Sequence, residues 1–144
     1  MTTTIDRVAK AELKDWAREH FRGGENSLLP SYTPDLQFLD EEGVRLDVRN
    51  NIRHGFFSMF CAGVGLRDAA ERRRFLETAV DEAQAKILVS SGGGGGGSLE
   101  AAIANLQELQ CLGLSHVMFS LPSGPEFQTA DAVYEYSRRR HGLQ

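Results

Sequence analysis

The sequence predicts an α/β fold, a parallel sheet built from four consecutive βα units behind an N-terminal helix. Three observations carry this. Short apolar runs begin near positions 27, 56, 87 and 116, and a spacing of about thirty residues is the length of one βα unit. Each run is followed by a turn-rich loop and then by apolar residues at three- and four-residue steps, the period of a helix with one buried face. The chain has 144 residues, 41% hydrophobic and 25% charged, which suits one soluble domain with its own core. Strands alternating with helices imply parallel pairing and right-handed crossovers. Spacing does not choose between a doubly wound sheet and a barrel, but a complete barrel takes roughly 250 residues, so a barrel here would be incomplete.

The N-terminal helix is expected over residues 6–21, with Val8, Leu13, Trp16, Ala17 and Phe21 as its apolar positions and Gly23-Gly24 as its stop. Ser27-Leu28-Leu29-Pro30 is the first strand; Pro30 denies it a full ladder of hydrogen bonds. Turn residues then lead to Asp40-Glu41-Glu42, acids suited to the positive end of a helix dipole. Val44, Val48 and Ile52 mark that helix's buried face, and Gly55 ends it. Phe56-Phe57-Ser58-Met59-Phe60-Cys61 is the second strand. Asp68 with Glu71 three residues on is a capping-box pattern. It opens a helix with Phe75, Leu76, Ala79, Val80 and Ala83 inward and Arg72, Arg73, Asp81 and Glu82 available for solvent.

Ile87-Leu88-Val89 reads as a strand buried on both faces, followed by Ser90, Ser91 and six glycines. Ser98 is placed to cap a helix carried by Leu99, Ala102, Ile103, Leu106 and Leu109, which runs to Gly113. The fourth strand is His116-Val117-Met118-Phe119-Ser120-Leu121, closed by Pro122. After a Ser123-Gly124-Pro125 turn, Ala132, Val133 and Tyr136 suggest a last helix ending in Arg138-Arg139-Arg140-His141, cations that suit the negative end of its dipole.

A net charge of −4 argues against a general affinity for nucleic acid or an anionic membrane. No apolar run approaches the roughly 20 residues of a bilayer span, and the first residues lack the pattern of a secretory signal. A cytoplasmic location is expected. Cys61 and Cys111 form no multi-cysteine framework, and His20, His54, His116 and His141 show no ligand spacing. No metal and no cofactor is expected.

Thr33-Pro34 followed by Leu39-Asp40-Glu41-Glu42-Gly43-Val44-Arg45 resembles the opening of the dihydrodipicolinate synthase and N-acetylneuraminate lyase family. Glu71-Arg72-Arg73-Arg74-Phe75 resembles that family's second helix, and Ile87-Leu88-Val89-Ser90-Ser91-Gly92 stands where the family has an apolar strand ending in Gly-Thr-Gly. Leu112-Gly113 leading into Val117-Met118-Phe119 and Pro122 is similar to its third-helix exit and fourth strand. The likeness covers about residues 25–140 and implies an aldolase-type TIM barrel of which this chain is the first half plus the N-terminal helix. The family's reaction condenses a lysine amine with the ketone of pyruvate, and the resulting enamine attacks or releases an aldehyde.

That lysine belongs on the sixth strand, which this chain does not reach. Lys10 and Lys14 fall in the N-terminal helix and Lys86 at the entrance of the third strand, opposite the catalytic face. The resemblance therefore implies a truncated, inactive half of a pyruvate-dependent lyase. A complementary C-terminal half, or a second copy closing a homo-oligomer, would be its partner, because a half barrel leaves two open sheet edges.

By the same resemblance the pocket positions are Thr33, Cys61, Ala62, Gly63 and Ser91. The family's Gly-Thr-Thr-Gly-Glu loop reads Cys61-Ala62-Gly63-Val64-Gly65 here, without the paired threonines, and Ser123-Gly124-Pro125 replaces the tyrosine pair. Cys61 sits at a strand end where catalytic groups gather, but a packed thiol is the commoner fate of a free cysteine. Ser90, Ser91 and Ser120 could line a ligand or simply be satisfied in their loops. Glycines 92–97 form a flexible loop or, less in keeping with six in a row, a phosphate cradle. A compact four-stranded domain binding phosphate through that loop is the reading farthest from the aldolase one.

Overall fold

The computed structural model describes residues 8–9, 11–93, 99–119 and 128–141. Lys10, the Ser98 cap, glycines 94–97, Ser120 and the turn at 123–125 lie outside them. Four strands, β1 (Glu25–Leu28), β2 (Ser58–Cys61), β3 (Leu88–Gly92) and β4 (His116–Met118), alternate with α2 (Glu41–Arg53), α3 (Ala69–Ala83), α4 (Leu99–Cys111) and α5 (Ala130–His141), and α1 (Leu13–His20) precedes them. All pairings are parallel and the order is β1-β2-β3-β4. This is a partial α/β barrel, with β1 and β4 at its open edges. No helix among the described residues is long and apolar enough to cross a membrane.

Register assigns the two faces. Leu28, Cys61, Ser91 and Val117 stand side by side across the sheet, as do Met59 and Val89 two residues earlier. This face packs against the helices: Leu28, Met59, Cys61 and Val89 are buried with Val44 and Val48 of α2, Phe75, Leu76, Ala79 and Ala83 of α3, and Leu109 of α4. The alternate residues, Glu25, Ser27, Ser58, Phe60, Ser90, His116 and Met118, share the other, concave face.

The concave face explains two departures from expectation. The first strand begins at Glu25 and ends at Leu28, earlier than Ser27-Leu28-Leu29-Pro30, because its inward positions are polar and carry no apolar signal. The third strand extends past the Ile87-Leu88-Val89 run through Ser90 and Ser91 to Gly92, so the glycine run begins inside the sheet. Gly93 is buried as well, and its amide donates to the Met118 carbonyl at 2.9 Å. The N-terminal helix is shorter than expected, starting at Leu13, and buries none of its residues. Its end is held by Phe21, whose ring lies 4.7 Å from His116 and 5.4 Å from Phe57.

Helix starts follow their caps. Asp40 Oδ1 accepts from the Gly43 amide at 3.1 Å, and a side chain at Gly43 would come within 2.9 Å of Asp40 and 3.0 Å of Ser31, so the cap needs a glycine at this position. Asp68 caps α3 through the Glu71 amide at 2.8 Å. The reciprocal half of the capping box is displaced, since the Glu71 carboxylate accepts from the Arg67 amide and not from Asp68. Gly55 and Gly113, both at positive φ, end α2 and α4. Asp81, exposed as expected, and Glu82, half-buried, pair with Arg45 at 2.6 and 3.1 Å, and Glu82 also with Arg49 at 3.2 Å, tying α3 to α2.

Candidate functional site

The loops leaving the C-terminal ends of β1 and β2 are held together by one carboxylate. Glu71 accepts from the Arg67 amide at 2.8 Å and from the Arg67 guanidinium at 2.5 Å. The Tyr32 hydroxyl lies 2.9 Å from both Glu71 Oε2 and the Gly65 carbonyl, with its single proton shared between them. The Arg67 guanidinium and amide, with help from Tyr32, hold the Glu71 carboxyl down at about 2. Arg67 also lies over the Tyr32 ring, 5.8 Å from its centroid.

Beside this rim, a cavity of about 370 Å³ opens between the ends of β2 and β3 and helices α3 and α4, lined by Phe60, Cys61, Gly63, Arg72, Ser91, Gly92 and Asn105. Three of the five expected pocket residues, Cys61, Gly63 and Ser91, gather here. Thr33 does not. Its hydroxyl donates to Asp35 Oδ1 at 2.6 Å and accepts from the Phe38 amide at 3.1 Å, closing its own loop. Ala62 continues the ladder, its amide donating to the Leu28 carbonyl at 3.0 Å.

The geometry limits what these residues can do. Burial, reinforced by the Glu25 carboxylate, pushes the Cys61 thiol up to about 12, so it stays protonated and is no nucleophile. Cys61 and Ser91 point to the helix side of the sheet, and Ser91 Oγ donates to the Cys61 carbonyl at 3.1 Å. The cavity's cation is Arg72, half-buried and donating to Asn105 Oδ1 at 3.1 Å, although its place in the sequence suggested solvent. A charged residue that bridges two helices has the same periodicity as one that faces water, so only the position of α4 distinguishes them.

A second polar cluster occupies the concave face toward the N-terminal ends of the strands. Glu25 Oε1 accepts from Ser58 Oγ at 2.8 Å and from Ser90 Oγ at 2.9 Å, and lies 3.4 Å from His116 Nε2. Burial lowers the His116 pKa, with Glu25 opposing. In barrels this end serves stability, while the opposite end carries chemistry. Among the described residues no group of three His, Cys, Asp or Glu is placed to hold a metal ion.

Solved structures share this fold. A monomeric dihydrodipicolinate synthase variant matches with a TM-score of 0.69 at 18% identity, covering 84% of this chain and 41% of its own. The dihydrodipicolinate synthase of Aquifex aeolicus matches with a TM-score of 0.69 at 18% identity, covering 85% of this chain and 42% of its own. N-acetylneuraminate lyase from Fusobacterium nucleatum matches at 0.64 and 23% identity, over 84% of this chain and 43% of its own, and its structure is also known complexed with pyruvate. The chain spans about two fifths of the length of these proteins. No protein-family model matches the sequence, and no curated protein does.

Proposed function

We propose that this chain is the N-terminal half-barrel of a dihydrodipicolinate synthase-like, pyruvate-dependent lyase or synthase, inactive alone because the Schiff-base lysine lies outside it. The observation that carries this reading is the unbroken series of four parallel βα units in sequential order, the fold of about two fifths of dihydrodipicolinate synthase and N-acetylneuraminate lyase. A Schiff-base amine has to be desolvated at the C-terminal end of the strands. Lys14 is exposed on α1, and Lys86 is exposed in the turn that enters β3. The substrate class is a pyruvate-type 2-keto acid, and the aldol chemistry requires a complementary half that supplies the lysine. Cys61 and Cys111 are both free, in keeping with the reducing cytoplasm as its compartment.

Incubating the chain with pyruvate and borohydride and measuring its intact mass tests this. The mass of 15.9 kDa is expected to stay unchanged. A stable adduct on Lys10, Lys14 or Lys86 would refute the assignment.

A second reading, a non-catalytic half-barrel module acting as an oligomer, is favoured by one further observation. β1 and β4 are open edges, and α5, which follows β4, has no buried residue among those whose burial is described. Pairing with a second copy would cover both. Sedimentation as a monomer at micromolar concentration would count against it.

A further inference from the structure

We propose that Arg72 makes the cavity at the ends of β2 and β3 a binding site for a small oxyanion, a carboxylate or a phosphate. The cavity opens at the C-terminal end of the sheet, with Phe60 of the concave face and Cys61, Ser91, Arg72 and Asn105 of the helix side around it, and it needs no lysine, so the proposal goes beyond the aldolase reading and does not rest on it.

Arg72 brings an unbalanced charge to a shaped space. Arg72 is half-buried, and among the described residues its guanidinium donates one hydrogen bond, to the neutral Asn105 Oδ1. Its neighbours on α3 are neutralised, Arg73 by Glu77 at 2.8 Å and Arg74 by Glu41 at 2.6 Å, whereas no carboxylate among the described residues pairs with Arg72. A guanidinium carries five N–H donors in a fork that matches the oxygens of a carboxylate or phosphate. One of the five is used by Asn105. Glu71, adjacent in sequence, is engaged by Arg67 and Tyr32.

Among the other described lining residues no group repels an anion. Phe60 is apolar, Cys61 is a protonated thiol, and Ser91 turns its proton to a carbonyl. Gly63 and Gly92 keep the space open: a side chain at Gly92 would meet nothing within 4 Å, and one at Gly63 only Leu66 at 3.8 Å. At about 370 Å³ the volume equals the share of about a dozen liquid waters, enough for a small anion with part of its hydration.

The full chain is titrated separately with pyruvate and with inorganic phosphate at constant ionic strength in chloride, following the Arg72 Nε–Hε resonance by NMR and the heat by calorimetry. The expected result is saturable binding of at least one anion, with the largest shift at Arg72, weakened at least tenfold in Arg72→Ala and less in Arg72→Lys. A response to pyruvate alone identifies a carboxylate site, and one to phosphate alone a phosphate-ester site. Absence of saturable binding by both, or binding that leaves the Arg72 resonance unmoved, overturns the proposal, and the wild-type resonance decides the matter even if Arg72→Ala fails to fold. Because the borohydride experiment reports on lysines and this one on an arginine, the two readings fail separately.

Discussion

Replacing Glu25 with alanine removes the acceptor that joins three strands at the N-terminal end of the sheet. Ser58 and Ser90, both 0% exposed, donate to Glu25 Oε1 at 2.8 and 2.9 Å. A hydrogen bond to a charged acceptor is worth about 1.5–3 kcal/mol net, which sets an upper range of about 3–6 kcal/mol for the pair. Two features reduce it. Each hydroxyl has a second acceptor within reach, Leu88 O at 3.3 Å for Ser58 and Met59 O at 3.4 Å for Ser90, so neither proton is stranded. The carboxylate side chain is itself 23% exposed, and water weakens what it contributes. The expected cost is about 2 kcal/mol, equivalent to a fall of about 6–7 °C in melting temperature for a chain of this length. Urea unfolding at about pH 8, where a histidine is neutral, isolates the hydroxyl contribution. Glu25→Gln, which keeps a carbonyl acceptor, is expected to lose less than half as much. A loss below about 0.5 kcal/mol for Glu25→Ala would refute the reasoning, because the two carbonyls would then suffice.

Three further outcomes follow from the same structure. Burial lowers the His116 pKa, so its contribution to stability is complete above about pH 6.5, the usual histidine value, and is lost as pH falls through the depressed folded value; His116→Asn should flatten that limb of a plot of urea midpoint against pH. Glu71 is held at about 2, below the usual carboxylate value of about 4.3. Its contribution is present above the usual value and disappears as pH falls toward the folded one, a limb that Glu71→Gln should remove. The glycine run should not be uniform: a side chain at Gly93 would come within 2.6 Å of Phe119 and 3.2 Å of Leu106. Gly93→Ala should therefore cost about 1–2 kcal/mol, and Gly92→Ala, in open space, less than about 0.5 kcal/mol.

The sheet was legible where a strand's two faces are both apolar and obscure where one is not. Phe56-Phe57-Ser58-Met59-Phe60-Cys61 announces β2 because Met59 and Cys61 bury against the helices while Phe60 occupies the concave face. β1 carries Glu25 and Ser27 on that face, and the sequence there resembles a loop. Gly55 and Gly113 mark helix ends that need positive φ, but α3 ends through Gln84 and Ala85 at φ 46° and 58°. Non-glycine residues cross that region at a cost of roughly 1–2 kcal/mol each, so here the path of the chain into β3 overrides local preference. Cys61 and Ser91 could be placed at strand ends from the sequence, and Gly63 beside them only through the family resemblance. The outward direction of Cys61 and Ser91 depends on register, and the role of Arg72 depends on where α4 packs, neither of which a single segment encodes.

The central claim is that the strands form an open, sequentially ordered half cylinder. NMR on the 15.9 kDa chain, with mixed labelling to separate contacts within one molecule from those between molecules, tests it most directly. The account predicts intramolecular cross-strand contacts from Leu28 to Cys61, Cys61 to Ser91 and Ser91 to Val117, and none between β1 and β4 of the same molecule. A β1 to β4 contact within one molecule, or any other strand order, would contradict it.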